Sequence, residues 1–143
     1  MRSNIRHFGF AAALGALGVA AAYAAPGAGA AVTGVEVAAG PEGLQAGCAY
    51  TVTATVDAPP SEAGEVTIIN SGGEVPGGGE RLGQAVYHPE NGTATFEWTP
   101  KYPGRQNITA QQFTPGQYTS AKYIEVDVRG QGLDAGSSCL PLP

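Results

Sequence analysis

The chain has 143 residues, of which 13% are charged, with twelve acids against seven Lys and Arg and a formal net charge of −5. This acidic balance argues against nucleic acid and anionic membrane surfaces as partners, since both need basic patches. The 22 glycines and 11 prolines make the sequence rich in turn formers.

The N-terminus reads as a secretory signal peptide. Arg2, Arg6 and His7 form a short basic region, and an apolar, alanine-rich run follows from Phe8 to Ala24. Ala22 and Ala24 then place small residues at the two positions a signal peptidase reads. A membrane anchor is the competing reading. The run is interrupted by Gly9, Gly15 and Gly18 and falls short of the roughly 20 strongly apolar residues that span a bilayer. Cleavage after Ala24 is favoured, with Ala30 as the alternative site. Removing residues 1–24 leaves 119 residues, with five basic residues against all twelve acids and a net charge of −7. A chain of that size buries somewhat over ~60% of its unfolded surface and needs no metal to fold. Residues 25–31 are Ala, Gly and Pro and read as a disordered tether. Residues 32–143 form the expected domain.

Seven strands are expected in that domain. Val35 and Val37 alternate with Glu36 in the first. Gly40 to Gly43 and Ala46-Gly47 are turn chemistry, and the second strand runs from Cys48 to Val56. In it Tyr50, Val52, Ala54 and Val56 alternate with three threonines, the period of a strand with one buried face. Pro59 and Pro60 end it. Glu65 to Asn70 is the third strand, and Ser71 to Gly79, with five glycines and a proline, reads as a mobile loop. Leu82 to Tyr87 is a weaker fourth strand, interrupted by Gly83. The Asn91-Gly92 turn is a hairpin signal. The fifth strand follows it, with Ala94, Phe96 and Trp98 on one face. Asn107 to Phe113 is the sixth, and a Pro115-Gly116 turn leads to the seventh, in which Ile124, Val126 and Val128 alternate with charged residues. The tail from Gly130 to Pro143 is expected to be loop, anchored at Cys139.

Short strands at this spacing, with no helical periodicity after the leader, predict an all-β, antiparallel, seven-stranded sandwich or a barrel. Tyr50 and Trp98 are expected in its core. If successive strands alternate in direction, the second strand starts where the seventh ends, and the tail is long enough to fold back across that end. Cys48 and Cys139 are therefore expected to form one disulfide. It would close a loop of about 90 residues, worth roughly 4 kcal/mol in the chain-entropy description.

The succession YTVTATV, EVTIIN, LGQAV, GTATFEWTP, NITAQQF and YTSAKYIEVDV, over roughly Val32 to Arg129, resembles a bacterial immunoglobulin-like repeat. It looks most like the single-domain versions secreted by actinobacteria, which carry a cysteine at the second strand and a Cys-Leu-Pro ending, here Cys139-Leu140-Pro141. The third strand departs from the pattern, with Ile69 where phenylalanine is common. The resemblance implies an immunoglobulin-like sandwich and an extracellular adhesion or interaction module, and it supplies no catalytic residues. A shorter run, Gly43 to Tyr50, is similar to a segment of the neocarzinostatin-like apoproteins, which are secreted small-molecule carriers. Their two local disulfides cannot form here.

Little in the mature chain suggests chemistry. Nucleophilic or acid–base catalysis needs a positioned base, and the one histidine past the leader, His88, precedes Pro89 in an expected turn. Glu36, Glu97, Glu125 and Asp127 alternate outward on strands, as a solvated face does. Gly77 to Gly79 precedes no helix and is no phosphate cradle. Asn91-Gly92-Thr93 and Asn107-Ile108-Thr109 match the glycosylation pattern but matter only in a glycosylating host. No catalytic residue, cofactor or metal is assigned. The expected role is a secreted or envelope-associated module whose partner is an extracellular protein or envelope component. Its binding residues are expected in the Ser71–Gly79 loop or among Tyr102, Tyr118 and Tyr123, because aromatics are enriched in binding hot spots. The alternative role is a small-molecule carrier.

Overall fold

The computed structural model of the chain describes residues 32–113 and 120–143. The leader and tether, the Pro115-Gly116 turn and Tyr118 lie outside the described residues. The fold is all-β, with two sheets around one core.

The first sheet has four strands. Strand β1 (Val32–Val37) lies against β3 (Tyr50–Val56), then come β7 (Thr93–Trp98) and β6 (Val86–His88), every neighbour antiparallel. Alternation fixes which face is buried. Tyr50, Val52, Ala54 and Val56 point into the core, and Trp98 and Ala94 across the register from Tyr50 and Ala54 join them. The Tyr50 and Trp98 rings pack tilted, with centroids 6.5 Å apart, an aromatic pairing that adds to their area burial.

The second sheet has six strands. Its path is β10 (Cys139–Pro141), β9 (Ser120–Asp134), β8 (Gly104–Gln112), β4 (Val66–Ser71) and β5 (Glu80–Gln84), and β2 (Leu44–Ala46) pairs parallel with β9. It contributes Val66, Ile68, Ile108, Ala110, Val126 and Val128 to the core. The two apolar faces close on each other, so the core is a single layer between sheets.

Among the described residues ten strands stand where the spacing predicts seven, and each addition has a local cause. Strand β2 is three residues between Gly43 and Gly47, all buried, too short to show a period. The expected fourth strand divides at Ala85, whose N–H donates to the Val66 carbonyl at 2.8 Å. Its two halves, β5 and β6, belong to different sheets. The tail is not loop. Strand β9 runs on to Asp134, and β10 returns along it with Leu140 opposite Leu133. A single helical turn, Pro60–Ala63, follows β3, and Pro76–Gly78 forms a 3-10 turn in the Ser71–Gly79 segment.

Candidate interaction site

The Ser71–Gly79 segment, between β4 and β5, lies against the start of β8. Gly72 and Gly73 have φ of +84° and +56°. A β-carbon on Gly73 would stand 2.5 Å from the Arg105 carbonyl oxygen, so only glycine lets the segment approach β8 this closely. Together with Tyr102 and Pro103 before β8, and Glu125 on β9, it forms an open cleft of about 850 Å³.

Buried amides underlie the cleft. Asn70 and Gln106 are 2% and 1% exposed and sit at core-facing positions of β4 and β8, in step with Ile68 and Ile108. Asn70 Nδ2 donates to Gln106 Oε1 at 2.8 Å, and Gln106 Nε2 donates to the Tyr102 carbonyl at 2.5 Å. Burying amides costs free energy unless they hydrogen-bond. Here those bonds tie the Tyr102 backbone to the sheet. Asn70 Oδ1 has no hydrogen-bond partner among the described residues. Above them Arg105 Nε stands 3.4 Å from Glu125 Oε1, both side chains exposed. Lys101, next to Tyr102, donates from Nζ to Glu80 Oε1 at 2.7 Å. That hydrogen bond, and then the Glu80 charge, raises the lysine pKa above its ordinary value.

The outer face of the second sheet continues from the cleft. Tyr123, 70% exposed, is two residues before Glu125 on β9 and so shares its face. Thr109, Ile69 and Arg81 extend this row across β8, β4 and β5. Arg81 Nη2 donates to Thr67 Oγ1 at 2.8 Å beside a shallow hollow bounded by Ile69, Gln111 and Phe113. The structure thus joins the loop and Tyr102 in one cleft, with Tyr123 on the adjoining face. The amides of Asn70 and Gln106, and the Arg105–Glu125 pair, were not among the sequence candidates. The one signal of the two amides was their place on an otherwise apolar face.

The opposite end holds the bridge. Cys48 and Cys139 form a disulfide with Cα atoms 5.9 Å apart, across 91 positions of sequence. Around it Tyr50 Oη accepts from the Gln45 N–H at 2.7 Å and donates to the Gly43 carbonyl at 3.3 Å. Asp134 caps the adjacent turns, accepting from the Ala49 and Gly136 N–H groups at 3.2 and 2.8 Å. His88 is the last residue of β6, half-buried, with Nε2 2.8 Å from Thr95 Oγ1 and Nδ1 3.5 Å from Glu90 Oε1. It is a strand residue, not the turn residue that Pro89 suggests. Among the described residues no three His, Cys, Asp or Glu side chains cluster to hold a metal, and no helix is long and apolar enough to cross a membrane. In comparisons with known proteins, no family model, curated protein or solved structure matches the chain.

Proposed function

We propose that the chain is a secreted, non-catalytic immunoglobulin-like module that binds an extracellular protein or a component of the cell envelope. The strand orders support the fold part of this reading. In immunoglobulin sandwiches the strands run A-B-E-D in one sheet and C-F-G in the other. With β1, β3, β4, β6, β7, β8 and β9 as A, B, C, D, E, F and G, the observed orders follow that scheme, and β2, β5 and β10 are additions to it. The leader sequence and the bridge support an oxidising, extracellular setting.

The observation that carries the binding part is the cleft beside Tyr102, continuous with the open sheet face bearing Tyr123. An exposed aromatic on a rigid sheet beside a loop-lined cleft has the make-up of a binding surface. The test is a pull-down from envelope and culture fractions of the host with the immobilised, bridged domain. Recovery of one specific component, lost in a Tyr102→Ala, Tyr123→Ala double variant that melts like the parent, is the expected result. Recovery of nothing, or equal recovery by the variant, overturns the reading.

A further inference from the structure

The lining of the Tyr102 cleft narrows the class of ligand, given the reading of this face as a binding surface. Five side chains define its chemistry: Glu74 from the β4–β5 segment, Tyr102, Arg105 and Asn107 from the approach and start of β8, and Glu125 from β9. Carboxylates only accept hydrogen bonds, a guanidinium only donates, and an amide does both. A polyol presents hydroxyls that donate and accept on adjacent carbons. Planar carboxylate, guanidinium and amide groups can meet such neighbouring hydroxyls two at a time. Tyr102 adds a ring whose flat apolar body suits the C–H face of a sugar and whose hydroxyl stays polar.

A peptide ligand is served less well. Hot spots for proteins are built around well-packed, desolvated pockets that take an apolar or aromatic anchor. Among the described residues no aliphatic side chain, and no aromatic other than Tyr102, lines this cleft; Pro103 is the one other bulky apolar residue there. Charge narrows the class again. Among the described residues the one cation in the lining, Arg105, already faces Glu125 at 3.4 Å, and Glu74 adds a further negative charge. The chain as a whole is acidic, so polyanionic glycans are repelled.

The platform is also held in advance. The Asn70–Gln106–Tyr102 hydrogen-bond chain fixes the backbone beneath the ring, and Gly73 seats the facing segment against the Arg105 carbonyl. A rigid site loses less freedom on binding.

We propose that this cleft binds a neutral saccharide, with Tyr102 as the stacking platform and Glu74, Arg105, Asn107 and Glu125 as hydroxyl partners. The test is affinity electrophoresis of the bridged domain in gels containing β-glucan, xylan, mannan or arabinogalactan, with alginate as the anionic comparison. Retardation by at least one neutral polysaccharide is expected, and none by alginate. Tyr102→Ala and Asn107→Ala each weaken binding by about tenfold or more without lowering the melting temperature, whereas Val86→Ala, an exposed position on the other sheet, leaves it unchanged. Absence of retardation in all four neutral gels, retardation unaffected by Tyr102→Ala, or preference for alginate overturns the saccharide assignment. A protein partner recovered in the pull-down and not displaced by these polysaccharides would sink this assignment while leaving the module reading intact. Failure of both experiments removes both.

Discussion

Gly132 and Cys139 face each other so closely that a β-carbon on Gly132 would lie 2.6 Å from Cys139 Sγ, with the bonded Cys48 Sγ beside it at 2.8 Å. Gly132 is the β9 residue opposite Pro141, and space, not an unusual backbone angle, demands glycine there. The Gln45 Cβ, at 2.7 Å, crowds the same position further.

Gly132→Ala should therefore displace the bridge or the β9–β10 hairpin. Overpacking of this kind costs roughly 1–3 kcal/mol. Urea titration should show that loss, and thiol titration after oxidative refolding should show unbridged chains. Gly130→Ala is the matched control. Its new β-carbon would meet only Gln45 Oε1, at 3.6 Å, and stability should stay within about 0.5 kcal/mol of the parent.

Replacing both cysteines by serine removes the constraint spanning 91 positions. A loss of about 2–5 kcal/mol is expected, read as a lower urea midpoint. Hydrogen exchange should rise first in Leu44–Ala46 and Cys139–Pro141, the short strands that depend on this end. Unchanged exchange there would contradict a local role for the bridge.

Tyr50→Phe keeps the ring against Trp98 but removes the oxygen that accepts from the Gln45 N–H. Gln45 is 4% exposed, so its N–H would be buried without a partner, at a cost of about 1–3 kcal/mol. Calorimetry on the two proteins measures it. A melting temperature equal to the parent's would mean that the amide finds another acceptor.

Much of this architecture is legible in the alternation of residues. Tyr50 to Val56 and Thr93 to Trp98 show their buried faces directly, because one side of each strand is apolar and the other is Thr or Glu. The cysteine pair is legible because strand direction brings the two ends together. Other parts are fixed by partners distant in sequence. Leu44 to Ala46 is a strand only because β9 lies beside it. Val86 to His88 shows no sign that it leaves the sheet of Glu80 to Gln84, since crossing between sheets leaves no periodic trace. Leu133 and Leu140 look like loop residues until their register is known. The Tyr102 cleft was half visible: composition pointed to the glycine-rich segment and the tyrosine. The Gln106 amide that holds them together resembles any polar residue in a strand.

Strand β9 is bonded to β8, to β2 and to β10, and Ser120 at its start exchanges hydrogen bonds with the backbone of Val32. Leu44, early in the domain, has its strand partner at Val128. Such sequence-distant pairing makes folding slow, on the order of milliseconds to seconds. It also sets an order of events for a chain that emerges N-terminus first. Until β9 has emerged, β2 has no strand to pair with, the second sheet lacks one of its walls, and Cys48 has no thiol to join. The first sheet has all four of its strands by then, whereas the second sheet and the bridge are completed only once the last part of the chain is present.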